Sequence, residues 1–141
     1  MYKSKPKYVF EVINEVKKTK KKSDKISVLK ANETWALKDV LKGTLDPKIV
    51  WLLPDGKPPY EPSEEHNHPT DLRRENTKFK YLVKGGPAKD MLKVKRENIF
   101  LGILEGIHPE DANLLVDMIN KKKFGGGITI NLVNEAFPNL I

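Results

Sequence analysis

The chain has 141 residues, 38% of them hydrophobic, no cysteine and a formal charge of +7. That length suits one domain with a core of its own, and the missing thiols exclude disulfide staples and thiolate-bound zinc. The basic start, Met1 to Pro6, is not followed by the apolar run of a secretory signal, and no stretch approaches the length of a membrane span, so a soluble, intracellular protein is expected.

Pro6 suits the first turn of a helix, where its missing N–H costs nothing, and Val9, Val12, Ile13 and Val16 then recur on one face. Lys17 to Lys22 reads as a fraying end or a short solvated link. Ser23 or Asp24 is placed to cap a second helix with Ile26 and Leu29 inward. Asn32 or Thr34 begins a third, with Leu37, Val40 and Leu41 inward and Gly43 as its stop. Asp46-Pro47 signals a fourth helix carrying Ile49, Val50, Leu52 and Leu53, which Pro54 ends.

Residues 54–70 differ in kind. Five prolines (54, 58, 59, 62 and 69) with Asp55-Gly56 and Glu64-Glu65 exclude a helix or a central strand, leaving a functional arm or a disordered insertion, with Tyr60 as a possible anchor. Thr70 or Asp71 caps the next helix, carrying Leu72, Phe79, Leu82 and Val83, although Thr77–Val83 also alternates like a strand. Lys84-Gly85-Gly86-Pro87 breaks it. Residues 95–107 form a clear amphipathic helix through Ile99, Phe100, Ile103, Leu104 and Ile107. Pro109 starts another, with Ala112, Leu115, Val116 and Ile119 inward and Leu114 and Met118 flanking. Thr129 caps a last helix that buries Ile130, Val133 and Phe137. The expected fold is all-α, a single multi-helix domain with a proline-rich central loop.

Charge is segregated along this chain. Residues 1–25 carry nine lysines against three acids, residues 71–97 nine Lys/Arg against four acids, and Lys121, Lys122 and Lys123 form a third cluster, whereas 54–69 is acidic. A positive face built this way would concentrate a polyanion, with Arg73, Arg74, Lys78 and Lys80 as members of the middle cluster. The bland alternative is lysine as solubility charge. The third cluster runs into Gly125, Gly126 and Gly127, then Ile128 and the cap Thr129. Glycines let a backbone approach a ligand and a helix start offers free amides, which suits a phosphate; the alternative is a flexible helix link with surface lysines.

Other motifs carry less. The glycine run lacks the Gly-Lys-Ser/Thr ending of a nucleotide-binding loop. Glu65-His66-Asn67-His68, with His108 elsewhere, supplies too few ligands for a metal shell, so no metal and no cofactor is expected. Asp55-Gly56-Lys57 reverses the Lys-x-Asp-Gly order of nucleotidyltransferases and has Leu53 where the lysine would stand. No activated nucleophile or carboxylate pair stands out, and neither an enzyme nor a small-molecule substrate is expected. Trp35 and Trp51 read as core anchors more readily than as stacking platforms for bases.

The segment Gly127-Ile128-Thr129-Ile130-Asn131-Leu132-Val133-Asn134-Glu135-Ala136-Phe137-Pro138-Asn139-Leu140-Ile141 resembles the close of the N-terminal DNA-binding domain of ATP-dependent DNA ligases of the T-even bacteriophage type, with Asn139 in place of a glycine. Val12–Val16, Lys25–Asn32, Trp35–Leu41 with Ile49–Pro54, and the helices Arg96–Gly106 and Pro109–Asn120 resemble that domain's earlier helices in order, while 55–95 fits poorly. The chain is also similar to small proteins of tailed phages. The resemblance implies an all-helical fold gripping duplex DNA across the minor groove through backbone contacts at Gly126, Gly127, Ile128 and Thr129, supported by Lys121, Lys122 and Lys123. The ligase's catalytic core is absent, so nick sealing is not expected.

The expectation is therefore a non-catalytic, double-stranded DNA-binding accessory protein in the cytoplasm of an infected bacterium, with no membrane partner. A protein adaptor that engages a replication or transcription protein through the 54–70 arm is the alternative, and RNA is a third possible partner.

Overall fold

The computed structural model describes residues 6–141, so Lys3 and Lys5 of the first basic cluster lie outside the described residues. Helix α1 spans Val9–Lys18, with the Tyr8 amide held by Glu11, and Pro6 stands before it rather than in its first turn. Helix α2 spans Lys22–Ala31, starting two residues earlier than a Ser23 cap and three earlier than an Asp24 cap would place it. Helix α3 spans Trp35–Leu45, and the Thr34 hydroxyl accepts from Leu37 N. It runs through Gly43, which is needed for closeness: a Cβ there would lie 2.6 Å from Trp51 Cζ2 and 2.9 Å from Met118 Sδ.

The fourth helix expected after Pro47 does not form. After the turn at Asp46, Ile49 to Leu53 run extended, with Leu52 N donating to Leu82 O at 2.8 Å and Lys84 N to Val50 O at 2.9 Å. Trp51 pairs antiparallel with Val83 across this contact. The run is two β-branched residues and an aromatic, and Pro54 cuts it too short to nucleate a helix against a waiting extended partner. That partner follows α4 (Leu72–Glu75) and a 3-10 helix (Asn76–Tyr81), so the strand-like reading of Thr77–Val83 does not hold beyond the isolated bridge at Val83.

Helix α5 (Lys93–Gly106), α6 (Pro109–Ile119) and α7 (Ile130–Ala136) follow where the apolar periodicity put them. Helix α6 touches α1, α3 and α5, and α2 bridges α1 to α7. Its Leu115 and Met118 are fully buried with Phe100, Leu104, Leu29 and Leu132, each such side chain contributing roughly 1.5–3 kcal/mol of burial. Met118 thus lies deeper than the flanking position expected for it, and Ile130, expected inside, is exposed while Leu132 takes the core. Among the described residues the chain is all-α, with isolated bridges and no sheet. No helix is long and apolar enough to cross a membrane.

Residues 54–70 form an ordered strap over α5 and α6. Asn120 brackets Gly56 through both its N–H and C=O, Glu61 N donates to Glu105, the Ser63 hydroxyl donates to Ile107 O, and Thr70 N donates to Gly106 O. Tyr60 and Leu53 pack on the core edge. A disordered insertion therefore does not describe it.

Candidate nucleic-acid interface

The loop between α6 and α7 starts with a helix stop. Lys121 N donates to Met118 O and Lys122 N to Asp117 O, the paired bonds of a Schellman ending, which place Lys121 in the left-handed region at φ 56. Glycine usually takes that position. Lysine holds it here because its ammonium crosses to the end of α3 and donates to Gly43 O at 2.8 Å and Asp46 O at 2.9 Å. Burial lowers the Lys121 pKa, and the nearby Asp46 works against that. Lys121 is therefore a bolt between α3 and α6, with its charge spent on carbonyls.

The three glycines also have internal reasons. Gly125, Gly126 and Gly127 all have positive φ, at 73, 58 and 79. A Cβ at Gly126 would lie 2.7 Å from Lys17 Cβ and 2.9 Å from its Cα. Lys25, buried, donates to Val16 O and to Gly126 O at 2.8 Å each, pinning the loop to the end of α1. Buried Ile128 anchors the far side, and the Thr129 hydroxyl accepts from Leu132 N. Beyond that cap, Thr129, Ile130 and Asn131 are exposed. The first amides of α7 have no acceptor within the helix, though seven residues supply only a short dipole.

This rim borders an open cleft of about 750 Å³ whose opposite wall is the end of α3 and the Asp46–Trp51 segment. Lys123 lines it, as do Thr129, Ile130 and Asn131. Its one carboxylate, Asp46, is 6% exposed and accepts from Lys48 N, so no acid faces the opening. On the other side of the loop, Lys122 and Lys123 share a depression with Lys17 of α1, next to Asp117 and Glu110. The first and third basic clusters thus meet at the loop. Lys22 is partly neutralised by Glu135 on α7.

The middle cluster divides. Arg73 and Lys80 line a second groove that shares Ile49 and Trp51 with the cleft, so they stand on its far bank. Arg74 is exposed on the same turn as Arg73. Lys78 pairs with Glu75 and borders a separate depression with Tyr81 and Asn98. Arg96 turns inward and donates to Tyr81 O, Ala88 O and Met91 O, tying the 81–91 loop to α5.

His68 and His108 are structural in their contacts. His108 caps α6 by accepting from Glu110 N, and burial lowers its pKa. His68 bonds Tyr8 Oη and Thr70 O. Among the described residues no group of three or more His, Asp or Glu side chains is gathered to hold a metal.

Trp51 is an anchor, its indole N–H donating to Gly43 O and its ring edge-on to Phe79. Trp35, expected in the core, is 71% exposed at the first turn of α3. The signal that placed it there was local: Trp35 follows the cap Thr34, one position off the stripe of Leu37, Val40 and Leu41.

The chain belongs to a family of unknown function, DUF6433, whose model matches residues 12–124 and so includes the three lysines but not the glycines after them. No curated protein matches the chain. No solved structure matches it either.

Proposed function

We propose that this member of the family is a non-catalytic double-stranded DNA-binding protein that holds the sugar–phosphate backbone at the loop between α6 and α7. The observation that carries the reading is the cleft at that loop: exposed Lys123 and backbone on one bank, Arg73 and Lys80 beyond the other, and the single lining carboxylate buried. Phosphate is the ligand that such a surface attracts from any sequence, and contacts of this kind position a protein without reading bases. The ligase-like ending Gly127–Ile141 supports the same reading. Lys122 and Lys123, with Lys17 beside them, supply the charge; Lys121 belongs to the scaffold. Such a protein would serve phage replication, repair or transcription in the cytoplasm of an infected bacterium.

Titration of a labelled blunt duplex with the full chain tests this. Binding should weaken steeply, on the order of tenfold or more, between roughly 50 and 200 mM salt, and should not depend on base sequence. Absence of binding at the lower salt, or an affinity indifferent to salt, contradicts the reading.

A further inference from the structure

The second groove contains chemistry that a duplex backbone does not need. Trp35 exposes an indole at the first turn of α3, where burial would ordinarily place a side chain of that size. The Lys38 ammonium lies 4.7 Å from its ring centroid on one side and is itself held by Glu33. The ring is otherwise open. It borders a groove of about 480 Å³ lined by Lys42, Arg73 and Lys80 together with Thr77 and Asn76, and Arg73 Nε also donates to Asp71 Oδ1 at 3.2 Å. The groove's one acid, Asp39, is half-buried and accepts from Asn76 Nδ2 at 2.7 Å. Burial raises its pKa, while the Asn76 hydrogen bond and the Lys42 charge work against that. Asn76 leaves its buried Oδ1 with no partner in the protein, an uncommon state for an acceptor.

A flat aromatic beside a line of cations is the arrangement that binds unpaired nucleotides: the ring stacks any base and the cations follow the phosphates. Partly exposed Ile49, Trp51 and Val83 extend the apolar surface beside Trp35, which suits the faces of bases, and the exposed Arg73 and Lys80 suit the phosphates that join them. The groove adjoins the cleft at the loop between α6 and α7, separated from it by the Ile49–Trp51 wall that lines both. We infer that the protein recognises a junction in DNA, with the duplex on the loop between α6 and α7 and a single-stranded extension in the groove, one unpaired base stacked on Trp35. This rests on the duplex reading for the loop but makes its own demand, a preference for DNA with an unpaired end.

The test compares a blunt duplex, the same duplex carrying a single-stranded dT extension of about twelve nucleotides, and that dT strand alone, at one salt concentration. Wild-type protein should bind the extended duplex at least several-fold tighter than the blunt one, and the extension should quench tryptophan fluorescence. Trp35→Ala should erase roughly fivefold to a hundredfold of affinity for the extended duplex, the loss expected from one stacked base, and leave blunt-duplex affinity within about twofold. Trp35→Phe should recover part of the gain. Equal affinity for blunt and extended duplexes overturns the inference while leaving the duplex reading intact. An unaltered gain in Trp35→Ala overturns it as well. Quenching by the dT strand without any duplex binding would instead sink the duplex reading and keep the groove as a single-strand site.

Discussion

Lys25, Arg96 and Lys121 come from the three different basic clusters, and each directs its charge to backbone carbonyls inside the protein. A cation at the end of a helix meets unsatisfied C=O groups and a negative dipole end, which repays its desolvation. Lys121→Met should therefore destabilise the fold by roughly 1–3 kcal/mol in urea unfolding, because Gly43 O and Asp46 O lose their donor. Asp111 gives a pH prediction. Burial pushes its carboxyl up to about 7, while the Phe10 N–H it accepts pulls the other way. The folded protein thus holds a proton that the unfolded chain, near its ordinary value of 3.8, releases earlier. Stability from this group falls as pH rises from about 4 to about 7 and is level above that. Asp111→Asn keeps the acceptor for Phe10 and removes the ionisation, so its urea midpoint should gain on wild type between pH 5 and 8; midpoints that move in parallel contradict this. Neither role was readable in the sequence, since a buried lysine and a surface one are the same letter until the facing carbonyls are known.

At the scale of elements, α6 and α7 were legible because apolar spacing and a start signal agreed, Pro109 after His108 and Thr129 three residues before Leu132, and α5 was legible from its apolar spacing alone. The segment Ile49–Leu53 was misread because a short run, apolar on both sides, has no period to distinguish helix from strand, and its partner Leu82–Lys84 lies some thirty residues away in the chain. The glycine run was found but for an incomplete reason. Its left-handed backbone and its closeness to Lys17 are demands of packing first. Gly126→Ala should accordingly cost roughly 2–4 kcal/mol, from strain and overlap together, whereas Gly125→Ala, strained but open to solvent, should cost only about 1 kcal/mol. Thermal unfolding of the two variants checks the order. Equal losses would mean that the loop does not sit on α1 as described.

At the scale of the molecule, formal charge overstated the surface field, yet segregation along the chain did become segregation in space at one place. The loop after α6 gathers Lys122 and Lys123 with Lys17, while Arg73 and Lys80 stand across the Ile49–Trp51 wall. Lys78 is diverted to Glu75. The acidic stretch 54–69 is strapped over α5 and α6, outside the lining of the cleft. Such a layout would be hard to read from sequence, because it depends on which cations of each cluster the helices turn outward.

The most direct measurement is the salt dependence of duplex affinity for wild type and for Lys122→Ala/Lys123→Ala. Each lysine facing a phosphate contributes about one unit to the slope of log affinity against log salt, so the double variant should bind more weakly on every sequence, with a slope shallower by about 2 and an unchanged unfolding midpoint. An identical slope and affinity in the two proteins would contradict the account.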